Sequence, residues 1–114
     1  MDYDTARTFI LNQGLANDRD PDSFLNRLWA QQPPIAGQIT SLLLALKMVY
    51  RSLDGTPSLS RELAAALHRL AFQGRAAYDA GRRAGVEWPL LLDQDLTRIA
   101  QAVESVLLGR WQGD

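Results

Sequence analysis

The sequence of 114 residues contains no cysteine and a single histidine. Without a thiolate, the chain cannot form a disulfide, a cysteine-ligated zinc site, a redox dithiol or a cysteine nucleophile. Lys47 is the only lysine, and neither a P-loop pattern nor a G-x-G-x-x-G fingerprint occurs, so we expect no ATP or dinucleotide chemistry. These absences predict a protein without cofactors.

The charge balance and hydropathy point to neither a nucleic acid nor a membrane. Lys and Arg number 12 against 13 Asp and Glu, which gives a formal net charge of −1 and no overall field for phosphates or anionic lipids. The most apolar stretch, Leu42–Tyr50, is interrupted by Lys47 and is far shorter than the roughly 20 residues of a membrane span. The acidic start at Met1–Asp4 has no leader pattern, so we expect a cytoplasmic protein.

The apolar pattern predicts an all-α protein, because hydrophobic residues recur at intervals of three and four and nowhere alternate with a period of two. With 46% hydrophobic residues, a chain of this length can bury a core of its own, so we expect one helical domain over residues 1–114. Glycine and proline positions divide it into a compact bundle of four main helices and one short helix.

The first helix is expected to begin at Asp2 or Asp4 and to end at Gly14, with a polar connection at Ala16–Arg19 after it. A left-handed glycine at this end would let Leu15 fold back onto the helix. The buried face is predicted to comprise Tyr3, Ala6, Phe9, Ile10 and the stem of Gln13.

The short second helix is expected to start at Asp20, which would accept free backbone N–H groups while Pro21 occupies the first helical position. It would stop before Pro33, and Pro34 would open the third helix. The second helix is predicted to bury Phe24, Leu25, Leu28 and Trp29. The third helix is apolar on nearly every face, so we expect it to be central, with a seam of Ile35, Ile39, Leu42, Leu46, Val49 and Leu53.

The fourth helix is predicted to be the longest, capped by Ser58 or Ser60 and running to about Ala84 before a C-terminal Gly85. Its apolar seam of leucines gives way to the small residues Gly74, Ala77, Gly81 and Ala84. Small residues permit close helix approach, either within the bundle or between two copies in a homodimer. The last helix would begin between Pro89 and Asp93, fray after Trp111, and bury Leu92, Leu96, Ile99, Val103, Val106 and Leu107.

Catalysis is not expected from the polar residues. His68 could form a triad with Ser60, but eight residues of helix separate them by about 12 Å, beyond hydrogen-bond reach. The same argument weakens a triad that would combine His68 with Ser58 and with Glu62 or Asp79. Two groups of aspartates, Asp18, Asp20 and Asp22 and also Asp93 and Asp95, stand at helix starts and are explained by capping without a metal.

The basic residues of the fourth helix allow two interpretations. Its arginines are Arg61, Arg69, Arg75, Arg82 and Arg83. They would form either a solvated face, which we favour, or a stripe that binds nucleic acid. A third possibility is a small-molecule or lipid site in the bundle core, lined by Met48 and Trp29.

A protein-binding surface is expected at the end of the fourth helix. Trp88 and Pro89 lie in the following linker, where an aromatic anchor would be surrounded by the cationic side chains of Arg75, Arg82 and Arg83. Trp111 is another candidate anchor. The sequence therefore predicts a non-enzymatic protein–protein interaction module, such as an adaptor, an assembly factor or a small subunit of a complex.

Two long segments carry a resemblance to a known group of proteins. Residues Pro33–Thr40 continue into Leu43–Lys47, and residues Ala80–Pro89 are followed by Asp95–Ala100. These segments resemble a small uncharacterised family of all-helical cyanobacterial proteins, some of which bear the name dethiobiotin synthetase. The resemblance implies a helical fold and a cyanobacterial origin. Dethiobiotin synthetases are larger α/β proteins with a P-loop, so no catalytic residue is carried over.

Overall fold

A computed structural model describes residues 1–15 and 19–113. Five α-helices and no strand occur in this part of the chain: α1 Tyr3–Gly14, α2 Phe24–Trp29, α3 Gln38–Ser52, α4 Arg61–Arg83 and α5 Leu92–Leu108. The predicted all-α fold of four main helices and one short helix is confirmed. The Cα radius of gyration, 13.5 Å, is close to the value of about 13 Å expected for a folded domain of this length. Most of the predicted connection at 16–19 lies outside the described residues.

The four main helices pack in a ring in which α1 contacts α3, α3 contacts α5, α5 contacts α4, and α4 contacts α1. The short α2 packs mainly on α4. Helix α4 thus touches three other helices, whereas α3 packs mainly against two and exposes 59% of Leu44. The expectation that α3 is the central helix is therefore wrong: of its additional apolar side chains, Leu44 is exposed, and Leu43, Met48 and Tyr50 are only partly buried against the core.

The core draws side chains from all five helices, and the predicted seams supply most of it. Three predicted core residues lie outside it: Trp29 is 47% exposed, Ile35 43% and Leu107 49%. Trp29 and Leu107 stand near the end of a helix, and Ile35 precedes the start of α3. The largest fully buried side chains are Ile10, Phe24, Leu28, Leu42, Leu46, Leu63, Leu67, Leu70, Leu92 and Ile99.

The ends of α4 follow the sequence prediction. The Ser60 hydroxyl accepts the Leu63 N–H at 3.1 Å, as an N-cap does. At the other end Gly85 adopts φ +91° and donates its N–H to the Arg82 carbonyl at 3.0 Å, while Val86 donates to the Gly81 carbonyl at 2.9 Å. These two hydrogen bonds form a Schellman motif, which fixes the direction of the chain after the helix.

The predicted start of α2 is wrong by several residues. Asp20 accepts the N–H of Asp22 at 3.0 Å and shapes a turn, while the helix begins only at Phe24. The first N–H of α2 is instead accepted by the side chain of Gln13, whose Oε1 lies 2.7 Å from the Phe24 nitrogen. The Gln38 amide donates to the same Gln13 oxygen at 2.9 Å. A buried pair of glutamines therefore joins α1, α2 and α3.

The start of α3, the cap of α1 and the end of α5 differ from the prediction. Helix α5 ends at Leu108, before a left-handed Gly109, and not after Trp111. Helix α3 begins at Gln38 and not at Pro34, because Gly37 adopts a left-handed φ of +84° immediately before it. Gly14 remains helical, and Leu15 after it is extended rather than folded back. A Cβ at Gly14 would lie 2.6 Å from the Ala66 carbonyl oxygen, so this glycine serves a close approach of α1 to α4 and not a cap.

Candidate functional site

The α4 arginines do not form a continuous exposed stripe. Arg75 pairs with the Asp93 carboxylate at 2.5 Å, and it also donates to the Asp93 carbonyl at 3.1 Å and to the Thr97 hydroxyl at 3.2 Å. Arg69 donates to the Gly14 carbonyl at 2.8 Å. Both side chains therefore hold α4 to a neighbouring helix. The exposed arginines of α4 are Arg61, Arg82 and Arg83, which stand at opposite ends of the helix.

Trp88 is packed against the chain itself. Its indole N–H donates to the Tyr78 carbonyl at 3.0 Å, and the two rings stack with centroids 6.1 Å apart. A Cβ at Gly81 would lie 2.5 Å from the indole ring, so the absence of a side chain there provides the space for Trp88. The indole is only partly exposed, whereas Pro89 beside it is exposed.

The space beside the small residues of α4 is occupied by side chains of the same molecule. Gly74 faces Leu96 of α5 at 3.2 Å and Phe24 of α2 at 3.6 Å, measured from the position of an added Cβ. Ala77 is buried as well, and Ala84 alone of the four predicted self-association residues is exposed. In the described structure, the seam brings α4 close to α2, α5 and Trp88.

The candidate catalytic residues are not brought together. The Ser60 hydroxyl serves as the helix cap, and the exposed imidazole of His68 stacks on Phe72 with centroids 5.5 Å apart. The side chains of Asp93 and Asp95 pair with arginines. Asp18 lies outside the described residues, and residues 1–15 and 19–113 contain no group of three or more His, Asp and Glu that could hold a metal ion.

Trp111 also packs inward. Its ring lies edge-on to Tyr50 with centroids 5.2 Å apart, and the Lys47 ammonium stands 3.7 Å above it. A cation over an indole face is attracted by the ring quadrupole. Trp111 therefore fastens the chain after α5 onto α3, which leaves little of it to anchor a partner.

An exposed apolar surface that the sequence analysis did not single out lies beside Pro89. Leu90 is 97% exposed, Leu91 is 66% exposed, and Ile35 is 43% exposed. Two adjoining grooves, of about 170 and 410 Å³, lie here: Ile35 lines the smaller one, and Ile39 and Leu91 line both. Leu90 lines neither groove but directly precedes Leu91 in the chain. We call this surface the aliphatic strip and define it as Ile35, Ile39, Leu43, Leu44, Leu90 and Leu91.

The aliphatic strip is close to electrically neutral. Its two grooves have only two charged lining residues, Asp95 and Arg98, and these form an ion pair at 3.6 Å. The sequence contained an indication of it in the three consecutive leucines Leu90–Leu92, of which only Leu92 is buried. Periodicity could not reveal the strip, because Leu90 and Leu91 precede the helix.

Comparisons of the chain with family models, curated proteins and solved structures give no match. The cyanobacterial resemblance accordingly stays a prediction. Among the described helices, none combines the length and the apolar character that crossing a membrane requires.

Proposed function

We propose that this domain is a protein-binding module that receives the apolar face of a partner's helix on the aliphatic strip, without chemistry of its own. The exposure of Leu90, Leu91 and Leu44 carries the proposal. Leaving several large aliphatic side chains next to one another in water is unfavourable, and such patches mark interaction sites. An adaptor, an assembly factor or a small subunit of a complex would use such a surface.

The shape and charge of the strip favour a helix as the occupant. The strip lies between α3 and the segment that leads into α5, and its two adjoining grooves are lined by aliphatic side chains together with Thr40, Asp95 and Arg98. Amphipathic helices are recognised in such grooves through apolar residues on one face. Because Asp95 and Arg98 neutralise each other, the partner's face needs no charge, and binding should depend little on salt.

Of the residues that the sequence predicted to bind a partner, only Pro89 lies beside the aliphatic strip, where it lines the smaller groove. Arg75 and Trp88 are engaged within the chain, so they do not enter the proposal. The engagement of Arg69 and Arg75 also favours protein binding over the nucleic-acid alternative, since the remaining exposed arginines of α4 do not converge. The exposure of Trp29 argues against the core ligand site that it was expected to line.

The test replaces two residues of the strip in the variant Leu44→Asp/Leu91→Asp. The control is Leu108→Asp, since Leu108 is 53% exposed and lies at the end of α5 outside the strip. A photo-crosslinking residue at position 90 is used to capture partners from native extract in all three backgrounds. We expect crosslinks to one face of a helix in a partner protein, retained in the control and lost in the double variant.

Two outcomes would contradict the proposal. Crosslinks that persist in the double variant would show that the strip does not bind the partner. If light scattering instead shows a dimer that the double variant turns into a monomer, the strip pairs with a second copy.

A further inference from the structure

A second groove lies between α4 and α5 and differs in chemistry from the aliphatic strip. It has a volume of about 570 Å³, and its floor is formed by small or aliphatic side chains, Ala71, Ala76, Leu96 and Ala100. Phe72 lines one side and is 60% exposed although it is a large aromatic residue. The groove therefore offers apolar contact area that no described residue of the chain covers.

The charges along this second groove are predominantly negative. Its one lining cation, Arg75, is paired with Asp93. Two carboxylates, Asp79 and Glu104, also line it, and within the described ranges neither has an ion-pair partner. We call this surface the acidic groove. Unpaired carboxylates beside an apolar floor are complementary to an apolar ligand that carries positive charge.

The helix register places the two carboxylates at opposite ends of the groove. Gly81 meets Trp88, just before α5, and Gly74 meets Leu96 farther along it, so α4 and α5 run antiparallel. In this register Glu104 is level with about residue 67 of α4. It stands roughly 18 Å along the axis from Asp79 at a rise of about 1.5 Å per residue.

We propose that the acidic groove binds a basic amphipathic helix of another polypeptide. Its Lys or Arg residues would be about eleven positions apart, which is about three helical turns and some 16 Å on one face. Apolar residues between them would contact Phe72 and the alanine floor, as helices do in other apolar grooves. The groove and the strip lie on different faces of α5, so this site is independent of the proposed function.

The probe is a synthetic 18-residue helix with leucines along one face and two lysines eleven positions apart. A second peptide carries glutamate in place of both lysines. Binding is measured by fluorescence anisotropy at about 50 mM and about 500 mM salt, where the Debye length falls from roughly 14 to roughly 4 Å. We expect the lysine peptide to bind at low salt and to weaken at high salt, and the glutamate peptide not to bind.

The decisive variant is Asp79→Asn/Glu104→Gln, which removes both unpaired carboxylates and keeps side-chain size. Its control is Glu62→Gln/Glu87→Gln, which removes two exposed charges that do not line the groove. We expect the first variant to weaken binding at least about tenfold at low salt and the control to change it less than about twofold. The strip variant Leu44→Asp/Leu91→Asp should bind the peptide like the wild-type protein.

Equal binding by the two charge variants would overturn the proposal, and so would equal binding of the lysine and glutamate peptides. Ala100→Lys provides a second measure, because a lysine on the floor both fills the groove and opposes a basic ligand. If this variant folds and still binds with unchanged affinity, the helix does not occupy the groove.

Discussion

At the scale of single residues, the helical glycines lie where two elements touch. Gly14 and Gly81 are both helical, and each lies where an added Cβ would clash, one with the Ala66 carbonyl and the other with the Trp88 indole. The two neighbouring groups differ in how far they can move, because the Ala66 carbonyl belongs to the backbone in the middle of a helix and cannot rotate away. The contact between α1 and α4 is therefore the less tolerant of the two.

We expect Gly14→Ala to destabilise the protein by about 1–3 kcal/mol, the usual cost of overpacking, although alanine is the better helix former. The matched control is Gly74→Ala, where the nearest atom is the flexible end of Leu96 at 3.2 Å. Chemical denaturation should give a free energy of unfolding for Gly74→Ala within about 1 kcal/mol of wild type. Equal stability of the two variants would show that α1 can withdraw from α4.

At the scale of elements, α4 organises the bundle because other elements are fastened along its length. Gly14 of α1 receives a hydrogen bond from Arg69, α5 is clamped by Arg75, and the linker after α4 is held by Trp88. The Schellman motif at Gly85 turns the chain so that Trp88 returns to the helix it has just left. Trp88 thus fastens the linker to the outside of the core, while Glu87 and Pro89 on either side of it are exposed.

Replacing Trp88 distinguishes a packing role from a surface anchor. We expect Trp88→Ala to lower the free energy of unfolding by about 2–4 kcal/mol, since it leaves a cavity beside Gly81. Trp88→Phe keeps most of the ring but loses the hydrogen bond to Tyr78, and should cost about 1 kcal/mol. The control Trp29→Ala removes a tryptophan that is 47% exposed and should change stability less. Unchanged thermal unfolding of Trp88→Ala would refute the packing role.

At the scale of the whole molecule, one hydrophobic cluster contains residues from every helix, so no helix has a separate core. We expect two-state unfolding. Far-UV circular dichroism and tryptophan fluorescence should give superimposable melting curves, with a heat-capacity change of about 1.5 kcal/mol/K for 114 residues. Separate transitions for the two signals would show that part of the bundle melts alone.

The sequence predicted those features that depend on nearby residues. Ser60 and Gly85 delimit α4 through local capping chemistry, and the threefold and fourfold spacing identified most of the core. The sequence did not predict the contacts between residues that are far apart in the chain. Glycine is typical of a helix cap, but the role of Gly14 depends on its contact with Ala66. Trp88 lies inward because Gly81 leaves space for its ring. The aliphatic strip was not predicted for the same reason, because the exposure of a side chain depends on whether another element packs over it.

The hydrogen bond from Phe24 to Gln13 also makes the shortest helix dependent on the rest of the bundle. Helix α2 has six residues, too few to persist in water on its own, and its first N–H is accepted by a side chain eleven positions earlier. That acceptor is in turn held by Gln38 of α3. We therefore expect α2 to be helical only within the assembled bundle, where α1 and α3 hold the acceptor of its first N–H.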